Sequence, residues 1–239
     1  YLELFLEGYK KVSTIPFVCN AHVTKFDEEI AKLLKEAGCF MVKFGIESGS
    51  NRIRREILNR YMSNKTIERA FGTARKAGLY TSAFVMIGLP CEGSEEIEET
   101  IDLLATIKPS RIRWSVFFPY CGTVAYDISK NNGFIDFKKI ESLSNFTSES
   151  CLDFGEEHNL YIEKLQKTLP WYVNAKAGFD SSSIYRNFVS EIDAMEKQSW
   201  NGFEDRVLET DRSLSYIMTA NKRDHYAIKY NDFMAVREG

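Results

Sequence analysis

No CxxC pair, no histidine cluster and no run of basic residues occurs anywhere in the 239-residue sequence, and each absence removes a class of function. The five cysteines (Cys19, Cys39, Cys91, Cys121 and Cys151) are odd in number and widely spaced, which argues against a disulfide framework and for reduced thiols in a cytoplasmic protein. With 31 basic against 34 acidic residues the chain has no field to draw in nucleic acid, and no nucleic-acid partner is expected. Its longest uncharged stretch, Ala77 to Cys91, contains Gly and Pro and falls short of the roughly 20 apolar residues of a membrane span. The sequence has no GxxxxGK[ST] loop and no HExxH helix. Gly45-Ile46-Glu47-Ser48-Gly49 has the wrong spacing for a GxSxG nucleophile elbow. Neither a catalytic side chain nor a metal-binding set can be named. There is no signal peptide, and the start at Tyr1 without methionine suggests a piece of something longer. Asn145-Phe146-Thr147 matches a glycosylation sequon, which in a cytoplasmic chain is chance.

What is present is organised around Phe40 to Arg60. The apolar run Phe40-Met41-Val42, Phe44-Gly45-Ile46 is too short for a helix and is bounded by Gly38 and Gly49, the pattern of a strand buried on both faces. It stops at Glu47, Ser48 and Ser50, and a charged helical pattern follows through Ile53, Ile57 and Leu58. A carboxylate at the C-terminal tip of a parallel strand lies where α/β sheets and barrels place ligand groups, although a polar turn residue has the same signature.

Taken in order, Tyr1 to Val12 reads as the end of a helix and Ile15 to Val23 as a strand. Asp27 opens a helix with Ile30, Leu33, Leu34 and Ala37 on one face, closed by Gly38. Ser63 or Asn64 caps a helix over Thr66 to Lys76, followed by a strand at Leu79 to Leu89; Ser94 is expected to cap the next helix, and Arg111 to Phe118 is a fourth strand. The joints Lys35-Glu36-Ala37-Gly38-Cys39-Phe40 and Arg75-Lys76-Ala77-Gly78-Leu79-Tyr80 repeat one helix-stop-strand device about 40 residues apart, as βα units winding one way around a common sheet require. The expected fold is therefore α/β, with four parallel strands near 15–23, 40–46, 79–89 and 111–118 in a partial (β/α) barrel over residues 1–127. Residues 128–239 read as a mainly helical C-terminal region. Its scattered aromatics, among them Phe146, Trp171, Tyr185 and Trp200, suit helix-packing anchors, with a substrate-stacking surface as the alternative. The charged end, Asn221 to Gly239, is expected to fray.

Three strand tips end in glycine, proline and small polar residues: Gly45 to Ser50, Ile87 to Gly93, and Phe118 to Thr123. Together they describe one rim. His22 sits at a strand tip as a ligand contact or a loop histidine, and Cys91 and Cys121 sit on the rim as thiols or merely as small residues.

With these residues laid out, Ile15 to Asp127 resembles the radical S-adenosylmethionine (SAM) superfamily, in the branch that carries a cobalamin domain. That branch includes magnesium-protoporphyrin monomethyl ester oxidative cyclases and methyltransferases. The resemblance rests on Cys19-Asn20, KEAGC from Lys35, FGIESGS from Phe44, Leu58-Asn59-Arg60, MIGLP from Met86, a helix ending at Thr100, and PYCGT from Pro119. It implies a TIM-like partial barrel binding SAM at the strand tips. Glu47 and Ser48 would contact the nucleoside or methionine part, Arg60 the methionyl carboxylate, Ile87 and Gly88 the adenine, and Phe118 and Pro119 would lie near it. A carboxylate and a guanidinium at one rim suit a zwitterion; Arg60 is equally readable as a helix-end cation facing the helix dipole. The implied chemistry is reductive cleavage of SAM to a 5'-deoxyadenosyl radical at a [4Fe-4S] cluster, acting on a small-molecule substrate.

The departures are specific. The CxxxCxxC loop that would ligate the cluster is absent, Cys91 and Cys121 replace expected small or proline residues, and His22 stands where many relatives have arginine. The first two barrel strands, the cluster ligands and any cobalamin domain are expected before Tyr1, which makes this chain by itself inactive. From another class comes a non-catalytic half-barrel interaction module; a third reading is a barrel enzyme using Glu47 as a general base. In either barrel reading the strand at Ile15 is an exposed edge, and a homodimer through it is expected.

Overall fold

Helix ends in the first half are set by residues the chain supplies locally. In the computed structural model, which describes residues 1–142, 149–229 and 233–239, helix α1 (Leu2–Val12) leads into strand β1 (Phe17–Ala21). The Asp27 carboxylate accepts from the Ile30 amide at 2.9 Å to open α2 (Glu28–Glu36), and Gly38, at φ 93°, turns the chain into β2 (Cys39–Glu47). After α3 (Asn51–Glu56), Ser63 accepts from the Thr66 amide to cap α4 (Asn64–Lys76), and Gly78, at φ 71°, repeats the turn into β3 (Tyr80–Ile87). The next helix, α5 (Ser94–Ile107), corrects one expectation: Gly93 is its cap, Ser94 its first residue, and the Glu96 carboxylate accepts from the Gly93 amide at 2.8 Å. Strand β4 (Arg111–Val116) follows. The sequon Asn145-Phe146-Thr147, with Phe146 itself, lies outside the described residues.

The second half contributes helices α6 (Val124–Asn131), α7 (Phe137–Ser142), α8 (Glu156–Lys176), α9 (Ser182–Ala194), α10 (Lys197–Phe203) and α11 (Val207–Ala220). It also contributes two strands. The charged end does not fray. Instead β5 (His225–Ile228) and β6 (Met234–Glu238) form a hairpin whose β6 pairs antiparallel with β4, giving one six-stranded sheet in the order β1-β2-β3-β4-β6-β5. Strands this short, with Arg237 and Glu238 among them, carry almost no periodic signal, and their pairing is decided by a partner far away in sequence.

The outer edge of β5 is closed by buried side chains. Asn174 of α8 exchanges two hydrogen bonds with the backbone of Tyr226, and Asp211 of α11 accepts from the Ile228 amide at 2.8 Å and from the Trp171 indole at 2.8 Å. At the opposite edge, β1 pairs with β2 alone. Trp171, Tyr185 and Trp200 are fully buried, so these aromatics are packing anchors.

The sheet is covered by helices on one face. Val42, Phe44 and Ile46 of β2 are fully buried, the Phe44 ring packing against Phe26 and Phe71 at centroid distances of 5.1 and 4.9 Å, whereas Lys43, Gly45 and Glu47 are only half-buried. β2 is therefore not enclosed on both sides as its apolar run suggested; alternation had already placed a lysine on the second face. On β4 the same division puts Ile112, Trp114 and Val116 under α8, with the Trp114 indole donating to the Gln166 carbonyl at 2.7 Å, and leaves Arg111, Arg113 and Ser115 on the open face.

Directly beyond β2, Gly49 fits against α5 so closely that a Cβ would fall inside the backbone of Glu99 and Thr100. Gly49→Ala is therefore expected to destabilise the chain by about 1–3 kcal/mol through overpacking. The measurement is the urea midpoint against wild type; an unchanged midpoint would mean that α5 is free to move away.

Candidate functional site

The tip of β2 carries an ion pair in a strained setting. Glu47 has φ 69°, and the β2–β3 register slips between Gly45 and Glu47, so the strand bulges there. The bulge lays the Glu47 carboxylate back over Gly45, where a Cβ would sit 2.5 Å from its Oε1. A side chain at position 45 would have to push the Glu47 carboxylate aside, away from its place beside Arg60. The Arg60 guanidinium donates to Glu47 Oε1, and both side chains keep partial exposure, 30% for Arg60 and 23% for Glu47. Arg60 lies in the loop after α3, so it is a strand-tip partner and not a helix-end cation.

Arg60 is placed by a residue that the sequence reading passed over. Arg54 is fully buried, and its guanidinium donates to the carbonyls of Ser48 (2.5 Å) and Met62 (3.2 Å) and to the side-chain oxygens of Asn51 (2.6 Å) and Asn64 (2.5 Å). Burial without a carboxylate partner pushes its pKa down to about 10, which still leaves it charged at neutral pH. Its own carbonyl accepts from the Arg60 amide at 2.7 Å. The only sequence signal for this role is the spacing of Arg54 within the Ile53/Ile57 stripe.

The remaining candidates divide. Ser48 is fully buried: its hydroxyl lies 3.3 Å from the Thr100 hydroxyl and accepts from the Ser50 amide at 3.1 Å, so it fastens the tip to α5. The Ile87 side chain is fully buried in the helix-facing layer. Gly88, at φ 72°, has its missing Cβ directed at Ile162. What these two can offer a ligand is backbone. Phe118 is half-buried with its ring 4.9 Å from Tyr120, and Pro119 is buried. A cleft of about 380 Å³ opens between Asn59, Met86, Ser115, Phe118, Tyr120 and Thr123, so Phe118 and the neighbour of Arg60 share one cavity. Two larger clefts, of 840 and 960 Å³, lie among outer helices and loops away from the β2 tip.

His22 is a loop histidine, its Nδ1 2.8 Å from the Thr24 hydroxyl. Cys91 and Cys121 are exposed, Cys151 is buried, and the Cys19 and Cys39 sulfurs lie 3.8 Å apart on neighbouring strands. Among the described residues no group of three or more His, Cys, Asp or Glu could hold a metal ion, so the residues present do not fit an iron–sulfur cluster. No described helix is long and apolar enough to cross a membrane.

The parallel strands thus carry a carboxylate–guanidinium pair and an adjoining cleft at their C-terminal rim, the end at which α/β folds place ligand groups. Among known proteins, residues 2–104 match the model of the radical SAM superfamily. An uncharacterized methyltransferase from Pyrococcus horikoshii is 33% identical over 144 residues, covering 56% of this chain and 31% of the relative. Anaerobic magnesium-protoporphyrin IX monomethyl ester cyclase from Rubrivivax gelatinosus is 23% identical over 159 residues, covering 65% and 28%. The chain thus spans less than a third of the length of these curated relatives. Among solved structures, the radical SAM enzyme coproporphyrinogen III oxidase from Escherichia coli shares the fold, with a TM-score of 0.50 and 17% identity over 70% of this chain and 33% of that one.

The β3 tip holds a buried carboxyl group. Glu92, 3% exposed, accepts from the Leu89 amide through Oε2 at 3.1 Å, while Oε1 has no partner, and burial pushes its pKa up to about 8. The folded chain therefore keeps this proton between the ordinary value of 4.5 and about 8 while the unfolded chain releases it, so the group's contribution to stability falls as pH rises through that window. Glu92→Gln keeps an acceptor for Leu89 and removes the titration. Urea unfolding from pH 4.5 to 9 is expected to show the variant gaining on wild type by a few kcal/mol at the alkaline end, at about 1.4 kcal/mol per pKa unit. Parallel pH profiles would place the proton elsewhere.

Proposed function

We propose that this chain is the SAM-binding portion of a radical SAM enzyme, a cobalamin-dependent methyltransferase or oxidative cyclase, whose cluster and cobalamin are held by residues outside it. By itself it is catalytically incompetent. The observation that carries the reading is the Glu47–Arg60 pair lying over Gly45 at the β2 tip, beside an open cleft. Such a pair offers both signs of charge to a ligand carrying both. A cluster held elsewhere would, with SAM bound at this rim, supply the radical chemistry, while Glu47 and Arg60 would hold and orient SAM.

In this reading Arg60 takes the methionyl carboxylate and Glu47 an ammonium or ribose hydroxyl. The backbone at Ile87 and Gly88 flanks the adenine, and Phe118 and Pro119 limit it on the far side. Ser48 acts through its bonds to Thr100 and Arg54, which keep the tip in place. A methyltransferase or cyclase activity is supported by the names of two relatives, and cobalamin by the resemblance of the motifs alone. The substrate is a small molecule. A net charge of -3 supports the absence of a nucleic-acid partner, and free cysteines support a cytoplasmic location.

Equilibrium dialysis of the chain with SAM tests the site. Arg60→Met is expected to weaken binding about tenfold or more, the worth of one charge-assisted hydrogen bond, with a smaller loss for Glu47→Gln. A folded wild-type chain that leaves SAM unbound at millimolar concentration would favour the interaction-module reading. In the complete coding sequence, CxxxCxxC is expected upstream.

The β1 edge supports a homodimer of the isolated chain. Sedimentation is expected to give a dimer that Val18→Pro disrupts; a wild-type monomer at high concentration would exclude pairing through β1.

A further inference from the structure

The open face of the sheet carries a row of polar side chains that the site at the rim does not use. The register aligns Asn20, Lys43, Ser82 and Arg111 across four adjacent strands, and Arg113 stands one step nearer the rim. At about 4.8 Å between strands, Lys43 and Arg111 are separated by roughly 10 Å at the backbone, with Ser82 between them. Arg111 Nε donates to the Ser82 hydroxyl at 3.1 Å, and Arg113 lies 5.7 Å from the ring centroids of both Phe84 and Phe233. Among the described residues none of the three cations has a carboxylate partner. Among the described residues, Glu47 is engaged by Arg60 and Glu238 by Lys229 at 3.0 Å. Partial burial and the neighbouring Arg113 hold the Arg111 guanidinium below its ordinary pKa, as expected for two adjacent cations without a counter-charge.

Cations are rarely kept half-buried side by side in the middle of a sheet unless an anion meets them there. Resting on the reading of this chain as the SAM-binding portion of an enzyme, we propose that Lys43, Arg111 and Arg113 form the substrate subsite, and that the substrate is a small organic anion bearing carboxylate or phosphate groups on an apolar body. The anionic groups are held by Arg111 and Lys43, and the buried Ser82 hydroxyl between them accepts from Arg111 Nε and orients its guanidinium. Phe84 and Phe233 flank Arg113 and give the apolar part of the ligand a wall to lie against. The row is on the same face as Gly45 and Glu47 and farther from the rim, so a ligand anchored there by its charge extends its apolar part toward the Glu47–Arg60 tip.

Calorimetric titration of the full chain with benzene-1,3,5-tricarboxylate and with inorganic pyrophosphate tests the subsite, with the uncharged trimethyl ester of the tricarboxylate as control. At least one anion is expected to bind and the ester is not. Arg111→Gln and Arg113→Gln should each weaken the anion about tenfold, Arg111→Lys should recover part of the loss, and affinity should fall with added salt. Whichever anion binds more tightly tells carboxylate from phosphate. Absence of binding, equal binding of the ester, or loss confined to Arg60→Met would each overturn the proposal. SAM affinity measured on the same variants separates the two readings: it should be unchanged in Arg111→Gln, and a chain that binds the anion but not SAM would retain the subsite while losing the proposed function. Far-UV spectra and urea midpoints confirm that the variants are folded.

Discussion

A single buried guanidinium, that of Arg54, sets the geometry at the rim. Its donors are spent on the Ser48 and Met62 carbonyls and on the Asn51 and Asn64 side chains, so the end of β2, the first turn of α3 and the start of α4 are tied to one planar group. A planar fork with five donors satisfies several carbonyls that a strand-to-helix turn would otherwise leave unpaired in the interior, and lysine cannot match it. Neutral oxygens replace the usual carboxylate, which avoids a second buried charge but leaves the cation partly desolvated, hence its lowered pKa. The Arg60 amide bonds to the Arg54 carbonyl, and the Asn64 amide donates to the Gly49 carbonyl at 3.1 Å, so the ion pair and the tip are tied to the same residue cluster.

Around that body the sheet is asymmetric in two directions. Helices cover one face, where α2, α4, α5 and α8 bury the aliphatic and aromatic residues of β2, β3 and β4, and the other face keeps lysine, arginine and serine. Along the sheet, the β5 edge is closed by Asn174 and Asp211, which answer the Tyr226 and Ile228 amides, while the β1 edge pairs only inward. A second, smaller apolar cluster formed by Ile53, Ile57, Leu89, Phe117 and Ala125 sits across the strand tips and holds α3 and α6 beside the cleft. The rim is thereby built from loops that rest on their own packed layer, which is what a precise ligand site needs.

Much of this organisation was legible in the residues. The helix stops at Gly38 and Gly78, the caps at Asp27 and Ser63 and the four parallel strands all follow from local pattern and spacing. Three features were not legible, for identifiable reasons. Lys43 was hidden inside an apolar run that a period-of-two reading splits between faces. Arg54 looked like one more charge on an exposed helix, since its place beside the Ile53/Ile57 stripe is a weak signal of burial. The hairpin at residues 225–238 is too short and too charged to register as strand, and it exists because β4 offers an unpaired edge more than a hundred residues earlier in the chain.

The sequence by itself determined the order and direction of the βα units, because caps, turns and apolar period are local properties that act within a few residues. Tertiary structure alone decided which face of the sheet was left open, that Ser48 is consumed in holding the tip, and that the last residues complete the sheet. Those outcomes depend on hydrogen-bond donors and apolar surfaces meeting across long stretches of chain, and no local pattern encodes the meeting.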